Sequence, residues 1–346
     1  MRTVFLCALV IFAAVTGAPQ ENVFRVGSLS AARGERVSGA LEIPDGTDAG
    51  TSLPVTIIHG AKPGPVLGLI AGNHGYEYPP ILALQRVRRR VAPEALSGTI
   101  ILVHVANVPS FLGRTIYQSP VDGENLNRMY PGDPTGSVSR RIAHTITTEV
   151  IDKSDVVLDV HGGDGNESLR PFVYMPVTGR RELDGEIRQL ALAFGLDHIV
   201  VDRSRVDDLE NSIYCDRTAT SRDKPALTVE SGYLGTSDEE SITFLVDGIE
   251  SVLRHYDMIA GSPSVVEHPV FLETTEVVTA DATGVMTPHV KRGQTVSQGT
   301  PLATIMDFYG DTQSVIRAPF AGEVLYVVAT PPIREGEPVA MIGARD

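Results

Sequence analysis

Two cysteines, Cys7 and Cys215, are too few for a disulfide framework. No stretch reaches the roughly 18 apolar residues that a membrane span needs. Basic residues are scarce beside acids, 29 against 43, for a formal charge of -14. A general nucleic-acid binder wants a basic stripe to displace counterions, so that class is excluded. An anionic small substrate is still admitted, because a few arginines in a pocket override the global field locally. Neither a Walker-type loop nor a dinucleotide glycine fingerprint is present.

What is present suffices for a real core: 42% hydrophobic and 21% charged residues in a chain of 346, which is room for about two folding units. Residues 1–18 read as a secretory signal. Arg2 gives a minimal basic start, residues 4–15 are almost wholly apolar, and Thr16, Gly17 and Ala18 supply a small-residue cleavage site. The expectation is a secreted or periplasmic protein that loses Cys7 with the signal and keeps Cys215.

From 24 to 265, short apolar runs alternate with helix-like stretches. Residues 66–71, 100–103, 156–158 and 226–229 are strand-length and apolar on both faces, as strands covered on both sides by helices are. Residues 80–90, 138–153, 181–194 and 239–256 have helical spacing. The fold class expected is α/β, a mixed and mainly parallel sheet flanked by helices. The arginine run Arg86, Arg88, Arg89 and Arg90 reads as a solvated helix end.

Residues 270–346 change in texture, rich in Val, Thr, Gly and Pro without helical period. A weak internal repeat is visible. Gly284-Val285 is answered by Gly322-Glu323-Val324, and residues 299–305 by 336–342, at offsets of 38 and 37. Two such β units joined by a hairpin at 307–311 predict a small all-β sandwich. It resembles the biotinyl/lipoyl-type barrel sandwich. The hairpin Asp307-Phe308-Tyr309-Gly310-Asp311 lacks a modifiable lysine, so the expectation is a unit that covers or shapes an active site.

The chemistry lies at strand ends. Gly72-Asn73-His74-Gly75-Tyr76-Glu77 follows the first strong strand, and a His and a Glu three apart can turn toward one cation if the chain bends there. His161 ends another buried run. Ligands collect at the carboxyl ends of strands in open α/β sheets. Two imidazoles, one carboxylate and an open position for water make a hydrolytic zinc site. Taken alone, His161 would be read as a structural histidine. Thr228-Val229-Glu230-Ser231-Gly232 puts an acid at a third strand end, where it can take a proton from a metal-activated water and pass it to a leaving nitrogen. Without the trio it would be read as an exposed loop acid. In Asn125-Leu126-Asn127-Arg128, the Arg128 guanidinium can hold a substrate carboxylate bidentately. Arg114 offers a second charge to a developing oxyanion, or is a surface arginine in a Gly/Pro-rich loop. Asp159 lies two residues before His161, on the same strand face, and either orients that imidazole or faces water.

These motifs, in this order, resemble the succinylglutamate desuccinylase/aspartoacylase family, a branch of the zinc carboxypeptidase fold. The similarity covers most of residues 50–255, and such enzymes also carry a C-terminal β unit. The resemblance implies one zinc ion per chain on His74, Glu77 and His161. It further implies Glu230 as general base and acid, Asn127 and Arg128 as holders of the substrate carboxylate, and Arg114 as the oxyanion-stabilising arginine. The namesake enzymes act inside cells, which an export signal sets aside here.

The reading that follows is an exported zinc amidohydrolase acting on N-acyl amino acids or related small carboxylate-bearing amides. Two alternatives stand beside it: a carboxypeptidase on peptides, cell-wall peptides among them, and an inactive binding protein on the same fold. Residues 203–224 read as a surface loop, with Tyr214 and Arg217 as substrate contacts and Cys215 as a free thiol rather than a nucleophile.

Overall fold

The computed structural model describes residues 22–203 and 208–345; the signal-like segment lies outside the described residues. A nine-stranded sheet forms the centre. Its strands run in the order Val270–Leu272, His198–Asp202, Phe172–Pro176, Ala226–Glu230, Val156–His161, Lys62–Ala71, Ser97–Val103, Thr51–His59 and Glu35–Ile43. Five of the neighbouring pairs are parallel and three antiparallel, so the sheet is mixed and mainly parallel.

Strand alternation divides the core. Leu67, Leu69, Ile100 and Leu102 point into one apolar layer with the helices Tyr78–Arg90, Arg181–Phe194 and Glu239–His255. Ile70, Ile101 and Val103 point into the other, with helix Val138–Ile146 and the short helix Cys215–Thr220. Burial on both faces is why these strands carry near-continuous apolar runs. The arginine run is not merely solvated, because Arg86 pairs with Glu239 and Arg90 with Glu250, tying the first long helix to the last.

The three strands Lys62–Ala71, Val156–His161 and Ala226–Glu230 are adjacent and parallel, so their carboxyl ends lie side by side. Chain order reverses at Lys62–Ala71, whose neighbours are the next strand on one side and a later one on the other. That is a topological switch point, where a crevice opens.

Two expectations are corrected. The strand Val270–Leu272 hydrogen-bonds to His198–Asp202 and completes the large sheet, so the separate β unit begins at Thr274 rather than at 270. Residues 215–220 are not a surface loop but a fully buried helical turn.

The β unit is two interlocked repeats. Thr274–Thr279, Gly284–Pro288, Thr295–Val296 and Pro301–Met306 recur as Thr312–Arg317, Gly322–Val328, Pro332–Ile333 and Pro338–Ala344. In each four-stranded path the inner pair comes from one repeat and the outer pair from the other. The exchange buries one shared core, including Leu302, Ile305, Val339 and Ile342. Strand Glu167–Leu169 of the larger unit adds to Gly322–Val328 and joins the two units by backbone hydrogen bonds.

Candidate metal centre

His74 and Glu77 reach one point because the chain turns sharply between them. Gly72 has φ +75°, and a Cβ on Gly75 would lie 2.0 Å from the Phe111 backbone nitrogen. Only glycine allows that approach. A turn bond from Glu77 N–H to the His74 carbonyl closes the bend. Glu77 precedes helix Tyr78–Arg90 without capping it; its carboxylate turns to the histidines instead.

Glu77 Oε1 lies 2.7 Å from His74 Nδ1, and Oε2 lies 2.9 Å from His161 Nδ1. The Gly162 N–H also donates to Oε2, at 3.1 Å. The Nε2 proton of His74 is assigned to Asn125 Oδ1, at 3.1 Å, whereas His161 Nε2 lies 3.1 Å from both Asp159 Oδ2 and the Asn127 amide nitrogen. Both rings turn Nδ1 toward the one carboxylate. One ligand atom from each of the three residues lies within 4.8 Å of the others, and all three residues are buried. Such a convergence repels itself until protons or a cation occupy it.

The acid–base behaviour agrees. Burial alone would lower both imidazoles, but Glu77 outweighs it at His74, and Asp159 with Glu77 outweighs it at His161, so both are raised. Burial would raise Glu77, yet His161 and His74 bring it down to about 2. Two imidazole nitrogens and one carboxylate oxygen suit a borderline cation such as zinc, and the donor set fits the implied ion.

Behind His161, Asp159 is fully buried and is not a water-facing acid. Its Oδ1 accepts from Asn73 Nδ2 at 2.6 Å, and the Tyr130 hydroxyl donates to Asn73 Oδ1 at 2.8 Å. Groups that hold the far nitrogen of a ligating histidine fix its tautomer and ring orientation.

Glu230 stands in register beside His161 on the neighbouring parallel strand, so the two side chains leave the sheet on the same face. Burial, reinforced by Glu77, Glu167 and Asp159 and only partly countered by His161, pushes its carboxyl well above the usual range.

The residues expected to meet substrate part company. Arg128 is exposed at the rim, with its guanidinium 4.4 Å over the Tyr214 ring. The Asn127 amide is committed: Oδ1 accepts from Cys215 N–H at 3.0 Å, and Nδ2 lies 3.2 Å from Asp159 Oδ2. Asn127 therefore supports Asp159 rather than reaching for a carboxylate. Arg114 ends helix Val108–Gly113 in left-handed backbone and is exposed, with no side-chain partner among the described residues; the structure does not bring it to the trio. Arg217 is fully buried, 3.1 Å from Asp202 and bonded to the carbonyls of Val177 and Asp202, so it is no substrate contact. Arg217→Ala is expected to destabilise the fold by about 3–5 kcal/mol, because Asp202 is left buried without its cation. Urea unfolding measures this. Cys215 is buried and its thiol is pushed well up, which agrees with an inert role.

Sequence reasoning missed Asn73 and Asn125, although both stand inside the quoted motifs. It also missed Tyr117, Asp164, Glu167 and Tyr326. The Tyr117 ring packs edge-on to His74, centroids 5.7 Å apart, and its hydroxyl donates to Glu167 Oε1 at 2.8 Å. A cleft of about 650 Å³ opens at the seam between the units, lined by Tyr117, Asn166, Val285, Phe308 and Pro332 among others. It neighbours the trio through Tyr117 and contains none of the three ligands.

A mixed α/β sheet with a His/Glu/His cluster able to hold a metal at its strand tips, and an acid beside it, defines the class. The profile of the succinylglutamate desuccinylase/aspartoacylase catalytic domain matches residues 63–256. The chain belongs to that family. It is 33% identical over 278 residues to an N-alpha-acetyl-L-2,4-diaminobutyric acid deacetylase of Halomonas elongata, covering 78% of this chain and 79% of the relative. The fold is similar to the product-bound ectoine utilization protein EutE (DoeB) from Ruegeria pomeroyi, with TM-score 0.82 and 25% identity over 94% of this chain and all of that one. A succinylglutamate desuccinylase/aspartoacylase from Rhodobacter sphaeroides gives TM-score 0.81 at 24% identity, again over 94% of this chain and all of that one.

Proposed function

We propose that the protein is an exported zinc-dependent deacylase that hydrolyses the amide of small N-acyl amino acids. The observation that carries this is the pairing of the His74–Glu77–His161 cluster with Glu230 on the adjacent strand tip. The deacetylase relative supports amide hydrolysis and a small acyl group. Zinc on those three residues would polarise the acyl carbonyl and acidify water.

The chain's own residues do the rest. Glu230 takes a proton from the attacking water and returns it to the departing amine. Asp159, held by Asn73 and Asn127, keeps His161 in its ligating tautomer. Arg128 at the rim receives the substrate's carboxylate. The β unit covers the site: Tyr326 reaches the neighbourhood of Glu167, Glu230 and Arg128 from the second unit, which favours small substrates over peptides. Export rests on the apolar segment at 4–15 and the small residues after it.

Zinc-loaded protein tested on a panel of N-acyl amino acids and short peptides should hydrolyse the former; cleavage of peptides alone would contradict the reading. Arg128→Ala should raise KM about tenfold or more for substrates with a free carboxylate. Equal losses on carboxyl-blocked substrates would remove that role.

A further inference from the structure

The cleft at the seam is larger than an acetyl group needs. Its volume of about 650 Å³ falls in the range of small-molecule sites. Its walls come from both units: Ile116 and Tyr117 from the larger one, and Val285, Phe308, Pro332 and Ile333 from the β unit. Two of these apolar side chains are left in solvent, Ile116 at 37% and Phe308 at 78% exposure. Apolar surface gathered around one concavity marks a ligand groove. Among the described lining residues only Arg334 and Glu337 are charged, with opposite sign and on one turn. In that turn the Arg334 N–H donates to Glu337 Oε2 at 2.9 Å, and the Glu337 N–H donates to the Arg334 carbonyl. The cleft therefore offers a ligand no net charge.

The row of strand tips decides which half of a substrate reaches it. Ala226–Glu230, Val156–His161 and Lys62–Ala71 lie in that order, so Glu230 stands at one end and the turn to His74 at the other. The amine leaves at Glu230. Arg128 stacks on Tyr214, directly ahead of helix Cys215–Thr220, which packs in one layer with Val157 and Ala226. Both holders of the amino-acid half thus belong to the Glu230 end, and neither lines the cleft. The His74 end leads into it by two routes. Tyr117 lines the cleft and packs edge-on against His74, and Gln118 beside it bridges to Asn125, which accepts from His74 Nε2. Tyr117 is pinned there in left-handed backbone, φ +56°, with its N–H on Asp164 Oδ2 and its hydroxyl on Glu167 Oε1. A non-glycine residue keeps that conformation only where its surroundings impose it.

Resting on the deacylase reading, we infer that the seam cleft is the acyl subsite, and that the preferred acyl group is an apolar chain several methylenes longer than acetyl. Acetyl substrates are turned over but leave the cleft empty. A longer chain runs from the scissile carbonyl past Tyr117 and covers Ile116 and Phe308. The hairpin at 307–311 shapes the active site in this way, by supplying Phe308 to the cleft wall.

Three substrates of the zinc-loaded full chain test this: Nα-acetylalanine, Nα-hexanoylalanine and Nα-acetylnorleucine. Hexanoylalanine should exceed acetylalanine about hundredfold in kcat/KM, since each buried methylene is worth about fourfold. Acetylnorleucine carries its added methylenes on the amine side and should stay within about fivefold of acetylalanine. Phe308→Ala, at an exposed hairpin tip, should shrink the hexanoyl-to-acetyl ratio about tenfold. Equal rates for the two alanine substrates, a larger gain for acetylnorleucine, or one common factor of loss in Phe308→Ala would overturn the acyl subsite while leaving deacylation intact. Calorimetric titration with hexanoate against acetate reads the cleft without turnover. If none of the three is hydrolysed but hexanoate binds more tightly and Phe308→Ala weakens it, the deacylase reading fails and the cleft stands as a site for an apolar chain. No preference for hexanoate overturns the cleft.

Discussion

Glu230→Gln is expected to lower kcat by about 10²–10⁴-fold, the usual worth of a positioned acid–base group. The amide keeps the size and packing of the side chain at the end of strand Ala226–Glu230 and removes only its ability to carry a proton. Metal content and KM should stay near those of the parent, since Glu230 belongs to neither the ligand trio nor the rim that carries Arg128. The split matters. A fall in kcat with zinc retained assigns Glu230 to proton transfer, whereas parallel loss of zinc would make it a structural support for His161. Stopped-flow or single-turnover assays with metal analysis on the same samples distinguish the two outcomes.

Glu77→Gln is expected to weaken metal affinity by more than about a hundredfold, with activity lost in proportion. Both histidines present Nδ1 to the two oxygens of this one carboxylate. An amide supplies only one oxygen and no charge, so the cation loses its anionic ligand and the site its convergence. Loss of an outer partner alone costs about 10–100-fold, and a direct ligand should exceed that. Competition against a chromogenic chelator measures the affinity. An unchanged affinity would mean that the ion, if any, sits elsewhere.

The three strand tips were legible because the strands leading to them are buried on both faces, and continuous apolar runs betray such strands. The helices 181–194 and 239–256 were legible for the same reason in helical period; Arg181–Phe194 and Glu239–His255 fall on them almost to the residue. The repeat in the β unit was visible because its two halves exchange strands, so equivalent residues face equivalent surroundings.

Other parts were hidden for physical reasons. Asp216 and Arg217 look like surface residues, yet Arg217 is buried by its pairing with Asp202 on a separate strand. Val270–Leu272 has the composition of the β unit that follows but hydrogen-bonds to the sheet before it. Glu167 and Tyr326 are more than 150 residues apart and meet only through pairing between the units, which no local pattern encodes. Asn127 was read as a substrate holder from its neighbour Arg128. Its commitment to Cys215 and Asp159 depends on contacts across the sheet.

The direct test of the centre is metal stoichiometry on the purified full chain, with thermal unfolding followed in the same preparation. The account predicts one zinc ion per chain surviving gel filtration, removed by a strong chelator and restored by one equivalent, with Tm falling and recovering in step. A chain that binds no divalent ion after reloading, and whose Tm ignores chelator and zinc alike, would contradict it.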